Sequence, residues 1–415
     1  MRQSSFRSVP KTGVIFVTHE AEKCGHGREK GWANLGQGAP ETEDIPGQSP
    51  RILQVKMNAK TMEYAPVGGA PELREAVANF YNELYRRDKK SKYTYENVCI
   101  ASGGRTGLSR IAAALGNINI GHFIPDYTAY EELLYIFKAF NPIPILLKKE
   151  NHYRISAEEL SVEIQGRGLG ALLISNPHNP TGQVIHGEEL KKWVSLAKNL
   201  DCTFIMDEFY SHYYYAPRTP PGLPISAAAF VEDVNEDPMV IIDGPTKNWR
   251  YPGWRISWTL APKEMIDTLM SVGSFLDGGP VHALQLACVS LLDPQTVLQD
   301  ACVLQKHFQQ KRDFFLKELS SLDLQMSPQT SQGTFYCWAD LSHLPRPLRE
   351  GTKFFEEGLK EKVITVPGIY FDVNPGKRRS LKHSLYNNFT RISFGPPQPV
   401  LERGIESLKK VIKKF

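Results

Sequence analysis

Several things are scarce in this sequence, and each scarcity excludes something. Net charge is only +4 over 415 residues, from 49 Lys and Arg against 45 Asp and Glu. An excess that small does not mark a nucleic-acid or membrane-surface binder. The local basic runs, Arg86-Arg87-Asp88-Lys89-Lys90, Lys377-Arg378-Arg379 and Lys409 to Lys414, read as solvated helix ends or loops. No apolar run approaches the roughly twenty residues of a membrane span. The six cysteines (Cys24, Cys99, Cys202, Cys288, Cys302 and Cys337) include no Cys-x-x-Cys pair, and Cys24 and His26 lack partners at ligand spacing. That pattern excludes a disulfide frame and a metal site, and it points to reduced thiols in a cytoplasmic protein. The start, Met1-Arg2-Gln3-Ser4-Ser5-Phe6-Arg7, has the Arg/Ser flavour of a transit peptide, but it is short and Glu20 and Glu22 follow soon after. Internal repeats are absent.

What is present is an ordinary soluble composition, 41% apolar and 23% charged, long enough for two domains. From Asn97 onward, short apolar runs alternate with amphipathic stretches. Val98 to Ala101 precedes a helix-like Thr106 to Leu115, and Phe123-Ile124 precedes Glu131 to Phe140. Leu172 to Ile174 precedes Glu188 to Leu200, and Phe204 to Met206 follows it. This alternation predicts an α/β fold with a mainly parallel sheet covered by helices on both faces. After Asp300 the pattern changes to one long helix, Val303 to Leu322, then short strands at Thr334 to Trp338, Val363 to Val366 and Arg391 to Phe394. A last amphipathic helix runs from about Val400 to Lys413. That is an α+β arrangement.

Three segments carry chemistry. In Gly244-Pro245-Thr246-Lys247-Asn248-Trp249-Arg250-Tyr251-Pro252-Gly253-Trp254-Arg255, a lysine and an arginine flank a Pro-Gly turn between two apolar runs. A lysine drawn out of water becomes a nucleophilic amine, while arginine stays charged and offers a fork suited to phosphate. The pair therefore points to a Schiff base with a phosphorylated aldehyde. Ser175-Asn176-Pro177-His178-Asn179-Pro180-Thr181-Gly182 makes a tight polar loop after an apolar run. The strand Cys202 to Met206 ends in Asp207-Glu208-Phe209-Tyr210, and a carboxylate there needs a partner such as a pyridinium nitrogen.

Asparagine, aspartate, tyrosine, lysine and arginine in this order resemble the fold-type I pyridoxal-phosphate enzymes, specifically the class I/II aminotransferases, from about Asn34 to Pro396. The resemblance implies a large domain with a seven-stranded sheet over 61–299, a small α+β domain over 300–415, and an N-terminal arm with part of the small domain over 1–60. It implies pyridoxal 5'-phosphate as cofactor, bound as a Schiff base to Lys247, which then shuttles the Cα proton. Asp207 would hold the pyridine nitrogen, and Asn179 and Tyr210 the phenolate oxygen. The phosphate would rest on Gly103, Gly104 and Arg105 of Ser102-Gly103-Gly104-Arg105-Thr106-Gly107, where backbone amides meet an anion at a helix start, with Arg255 adding charge. The family's serine before the lysine is missing here, and only Thr246 is adjacent. Tyr127 of Pro125-Asp126-Tyr127-Thr128-Ala129-Tyr130 would stack on the ring, whereas Tyr130 reads equally well as a tyrosine covering the sheet.

The same resemblance implies that Tyr64 of Glu63-Tyr64-Ala65-Pro66-Val67-Gly68-Gly69 crosses to the neighbouring subunit's phosphate in a homodimer. Gly38, in Asn34 to Pro40, would lie in a loop closing over substrate, and Arg391 would grip the α-carboxylate, with Asn179 beside it. The implied reaction moves an amino group from an α-amino acid to a 2-oxo acid. No Lys or Arg occurs from Glu264 through Gln305, which closes one family route to a second cation for an acidic substrate; Arg105, where another subgroup of the family has a lysine, is the candidate, and it reads equally well as facing solvent or pairing with a nearby acid. The cofactor motifs do not separate amino transfer from β-elimination, decarboxylation, cyclisation or oxidation on the same cofactor. A non-catalytic sensor is the remaining alternative, and an intact Lys247 argues against it.

Overall fold

The computed structural model describes residues 9, 11, 13–216, 219–326 and 331–415; the Met1 to Arg7 stretch lies outside them. Among the described residues twelve strands follow in chain order: β1 Ala33–Asn34, β2 Val98–Ala101, β3 Asn119–Ile124, β4 Asn141–Leu146, β5 Leu169–Ser175, β6 Thr203–Asp207, β7 Met239–Asp243, β8 Ser257–Leu260, β9 Tyr336–Asp340, β10 Val363–Ile364, β11 Val366–Pro367 and β12 Phe389–Ser393. Seven of them form one sheet in the order β2-β8-β7-β6-β5-β3-β4. All pair in parallel except β8, which runs antiparallel to both β2 and β7. The α/β class and the mainly parallel seven-stranded sheet are those expected.

Strands buried on both faces read as continuous apolar runs, and β2, β6 and β7 are of that kind. β4 is the large-sheet strand that sequence reading misses. Its Asn-Pro-Ile-Pro-Ile-Leu run carries two prolines, tolerable here because β4 is the sheet's edge and the missing N–H groups have no strand to bond. The preceding helix, Tyr130–Ile136, stops four residues short of the expected Phe140 so that the chain can turn into this edge.

The long helix begins nine residues before Val303, spanning Pro294–Ser320 and passing position 300 without a break. Its start is set by Asp293, whose Oδ1 accepts the Thr296 amide at 2.8 Å, and by proline at the first helical position. Beside it, β11, β12 and β9 form an antiparallel sheet, and β1 pairs in parallel with β10. The N-terminal segment therefore joins the C-terminal strands, and the Leu35 carbonyl accepts the Ser393 amide at 2.7 Å. Among the described residues no helix is long and apolar enough to cross a membrane.

Candidate active site

Parallel register brings the motifs together. Ser175 at the end of β5 lies opposite Asp207 at the end of β6, and Asp207 lies opposite Ile242 near the end of β7. The Asn176 to Gly182 loop, the Asp207 carboxylate and the Lys247 loop thus leave one sheet edge side by side. On the next pair, Ala101 of β2 faces Ser257 of β8, which sets Gly103 beside Arg255. Carboxyl ends of strands in an open sheet are where such folds hold ligands.

The Lys247 amine donates to the Gly38 carbonyl. Burial, and then the charges of Arg391, Arg255 and Arg105, bring that amine from 10.5 down to about 7, against the pull of Asp207. Asp207 is 6% exposed, and burial raises its carboxyl from 3.8 to about 6. It accepts the Tyr130 hydroxyl at 2.7 Å, and among the described residues no lysine or arginine is ion-paired with it. Tyr130 is therefore a partner of Asp207 as well as part of the sheet's cover. The sequence signal was only its place, three residues after Tyr127.

Arg391 is 1% exposed. Its Nη1 donates to Asn179 Oδ1 at 3.0 Å, its Nη2 donates to the Gly36 carbonyl at 2.9 Å, and its Nε has no partner among the described residues. The guanidinium lies 4.1 Å from the Tyr336 ring centroid and 5.0 Å from that of Phe371. No carboxylate pairs with it among the described residues, so a buried cation stands without an anion. Tyr210 and Tyr336 place their hydroxyls 2.8 Å apart. Asn176, the other asparagine of its loop, exchanges two 2.9 Å bonds with the Ile185 backbone and closes the loop.

Gly103 has φ +85°, and a Cβ there would fall 2.4 Å from Arg255 Nη2, so only glycine lets the arginine lie over this turn. Gly104 opens the helix Gly104–Ala114, whose first amides have no intrahelical acceptor. The Phe209 ring packs where a Cβ on Gly104 would sit and reaches Gly244, tying this helix start to the Lys247 loop. Thr246 Oγ1 is buried and unpartnered among the described residues. Arg105 is exposed and donates to the Tyr127 hydroxyl at 3.1 Å. Tyr127 meets Tyr130 edge-on with centroids 5.4 Å apart. Tyr64 is 98% exposed and is not brought into this chain's own site.

Two neighbours went unselected by sequence reading. His178 Nε2 lies 3.6 Å from Asp126 Oδ1, beneath the Asn179 loop. Burial pushes the imidazole down to about 3, so it is neutral near pH 7, and pushes the Asp126 carboxyl well up from its ordinary range. Tyr336 is the other, and nothing in its strand's apolar pattern distinguishes it from a core residue.

An open α/β sheet with a low-pKa lysine, a buried carboxylate and an unpaired arginine at its strand ends defines a class of lysine-centred α/β enzymes. The family model for aminotransferases of class I and II matches residues 30–408, and the chain belongs to that family. It is 27% identical over 406 residues to a probable aspartate/prephenate aminotransferase of Aquifex aeolicus, covering 97% of this chain and 96% of that one. It is 26% identical to an aspartate aminotransferase of Sulfolobus acidocaldarius, covering 94% and 92%. An aminotransferase structure from Mycobacterium tuberculosis superposes with a TM-score of 0.78 at 22% identity over the whole of both chains.

Proposed function

We propose that the protein is a pyridoxal-phosphate-dependent aminotransferase that moves an amino group from an α-amino acid to a 2-oxo acid. The observation that carries this is the low-pKa Lys247 amine between an uncompensated Arg391 and a buried Asp207. The residues fit the cofactor. Asp207 would hold the ring nitrogen, Asn179 and Tyr210 the phenolate oxygen, and Tyr127 the ring face. Gly103, Gly104, Thr246 and Arg255 would hold the phosphate, for which the orphaned Thr246 Oγ1 and the bare Gly103 turn leave a place.

Pyridoxal phosphate supplies a sink for the electron pair left at the substrate Cα. The chain supplies the rest. Arg391 orients the substrate through its α-carboxylate, and a bidentate pair there satisfies both the charge and the free Nε. Lys247 Nζ, brought down to about 7, would take the Cα proton as a neutral amine and give it up again before the exchange is complete, so that the amine ends the cycle as it began. The Gly36 to Gly38 backbone, held by Arg391 and Lys247, shields the reacting centre from water. Arg105 reads the distal carboxylate of an acidic partner such as aspartate, glutamate or 2-oxoglutarate, in line with the relatives' names.

The working unit is a homodimer. Exposed apolar side chains cluster on 53–64 and 275–281, including Leu53, Met62, Tyr64 and Phe275, and a second copy would cover them and receive Tyr64. Fully active monomer in light scattering at assay concentration would contradict it. The described thiols, none in a disulfide, fit the cytoplasm, and the small net charge does not mark a nucleic-acid or membrane-surface binder. Lys247→Ala tests the mechanism. It should retain cofactor without borohydride fixing it and lose turnover by many orders of magnitude, and near-normal multiple turnover would overturn the reading. Omitting the 2-oxo acid should stop wild-type turnover after one equivalent, which distinguishes amino transfer from elimination or decarboxylation.

A further inference from the structure

Tyr336 stands at the junction of three parts of the site. Its hydroxyl is 2.8 Å from that of Tyr210, its ring lies 4.1 Å beneath the Arg391 guanidinium, and Gly38 abuts its oxygen, a Cβ there lying 3.4 Å away. Each of these groups has a role in the proposed reaction, while Tyr336 itself has none. Removing the hydroxyl would leave the strand and the ring packing intact, so packing alone gives it no purpose.

A phenol has one proton to donate. If Tyr210 gave its proton to Tyr336, it would have none for a ligand in the site. If Tyr336 is the donor, the Tyr210 proton is free to point inward. Burial raises both hydroxyls, and Arg391 opposes that rise at both; at Tyr336 it is the foremost influence after burial, whereas at Tyr210 it comes behind the neighbouring Tyr336, which adds to the rise. The guanidinium over its ring therefore makes Tyr336 the more acidic phenol and the better donor. We propose that Tyr336 is a positioning residue, whose hydroxyl donates to Tyr210 and aims the Tyr210 proton at the cofactor's phenolate oxygen, while its ring supports Arg391. This rests on the reading above that Tyr210 faces that oxygen. It links the carboxylate-binding arginine to the protonation state of the cofactor through two hydroxyls.

The test is a pH titration of the visible absorbance of the cofactor-loaded protein in wild type, Tyr210→Phe, Tyr336→Phe and the double variant. A proton aimed at the phenolate favours its ionised form, so Tyr336→Phe should raise the absorbance midpoint by about half to one unit, the size of one hydrogen bond. In the Tyr210→Phe background the same change should add nothing. The KM for the amino acid should hold within about twofold in Tyr336→Phe, which keeps the ring, and rise about tenfold or more in Tyr336→Leu, which loses it. An unmoved midpoint in Tyr336→Phe overturns the inference, as does an equal shift with Tyr210 already removed. If Tyr210→Phe itself leaves the midpoint in place, the placement of Tyr210 fails and this inference falls with it.

Discussion

The charge on Lys247 gives a direct test of the site's electrostatics, and it needs no cofactor. Unperturbed lysine titrates at 10.5, and here the amine is brought to about 7. At 1.36 kcal/mol per unit, that displacement corresponds to about 5 kcal/mol between the protonated and neutral forms. The side chain keeps partial solvent contact, so this figure is an upper bound. Burial is the largest cause and Arg391 the next. Two like charges roughly 5–10 Å apart at an effective dielectric of about 20 repel by about 2–3 kcal/mol. Some water screening leaves about one pKa unit for Arg391. Arg391→Gln should therefore raise the Lys247 midpoint from about 7 to about 8, and Arg391→Lys, which keeps the charge, should leave it nearly in place.

Competitive acetylation of the cofactor-free protein across pH 5 to 11, followed by mass spectrometry of the Lys247 peptide, reads this directly. Because the folded pKa lies below the unfolded one, the neutral amine should become available as pH rises through about 7, three units earlier than for surface lysines. Cofactor-free protein should also gain stability over the same rise, since the unfolded lysine binds a proton that the folded one has lost. A wild-type midpoint near 10, or one indifferent to Arg391→Gln, would refute the reasoning.

Three further outcomes follow from the geometry. Asp207 has a folded pKa of about 6 above its unfolded 3.8, so its contribution to stability is present at low pH and lost as pH rises through 6; cofactor-free Asp207→Asn should be more stable than wild type by up to about 3 kcal/mol at neutral pH, a gain shrinking toward pH 4, as read by urea unfolding. A gain that does not change with pH would count against the buried charge. Gly103→Ala must displace Arg255 and adopt a left-handed backbone, so cofactor retention in equilibrium dialysis should weaken more than tenfold, and unaltered retention would remove Arg255 and this turn from the phosphate site. Arg105→Ala should slow the half-reaction with glutamate or 2-oxoglutarate more than tenfold, about 1.4 kcal/mol, while sparing neutral substrates; equal losses on both would return Arg105 to a general role at the helix start.

Much of this was legible along the chain because the relevant signals are local. Apolar runs of strand length, a Pro-Gly turn after a lysine, paired glycines before a helix and an aspartate ending a buried strand each lie within a dozen residues. They identify the layered α/β architecture and nominate Lys247, Asp207 and Arg255, while Asn179 in its doubled Asn-Pro loop and Arg391 take their roles from the family resemblance. The edge strand β4 stayed hidden because its prolines are tolerable only where no neighbour needs their N–H groups, a fact of sheet order. The early start of the 294–320 helix was hidden by weak apolar periodicity, although its Asp293 cap is a local signal.

The pairings across the site belong to tertiary structure alone. Tyr130 with Asp207 spans 77 residues, Tyr210 with Tyr336 spans 126, and Arg391 with Asn179 spans 212. No local pattern encodes contacts at such separations, because they arise from the parallel register of β5, β6 and β7 and from the second sheet carrying β9 and β12 up to it. The amine's lowered pKa is of the same kind. The sequence by itself determined which residue types would meet at the strand ends, while burial and converging arginines, which exist only after folding, decided the charge that Lys247 carries.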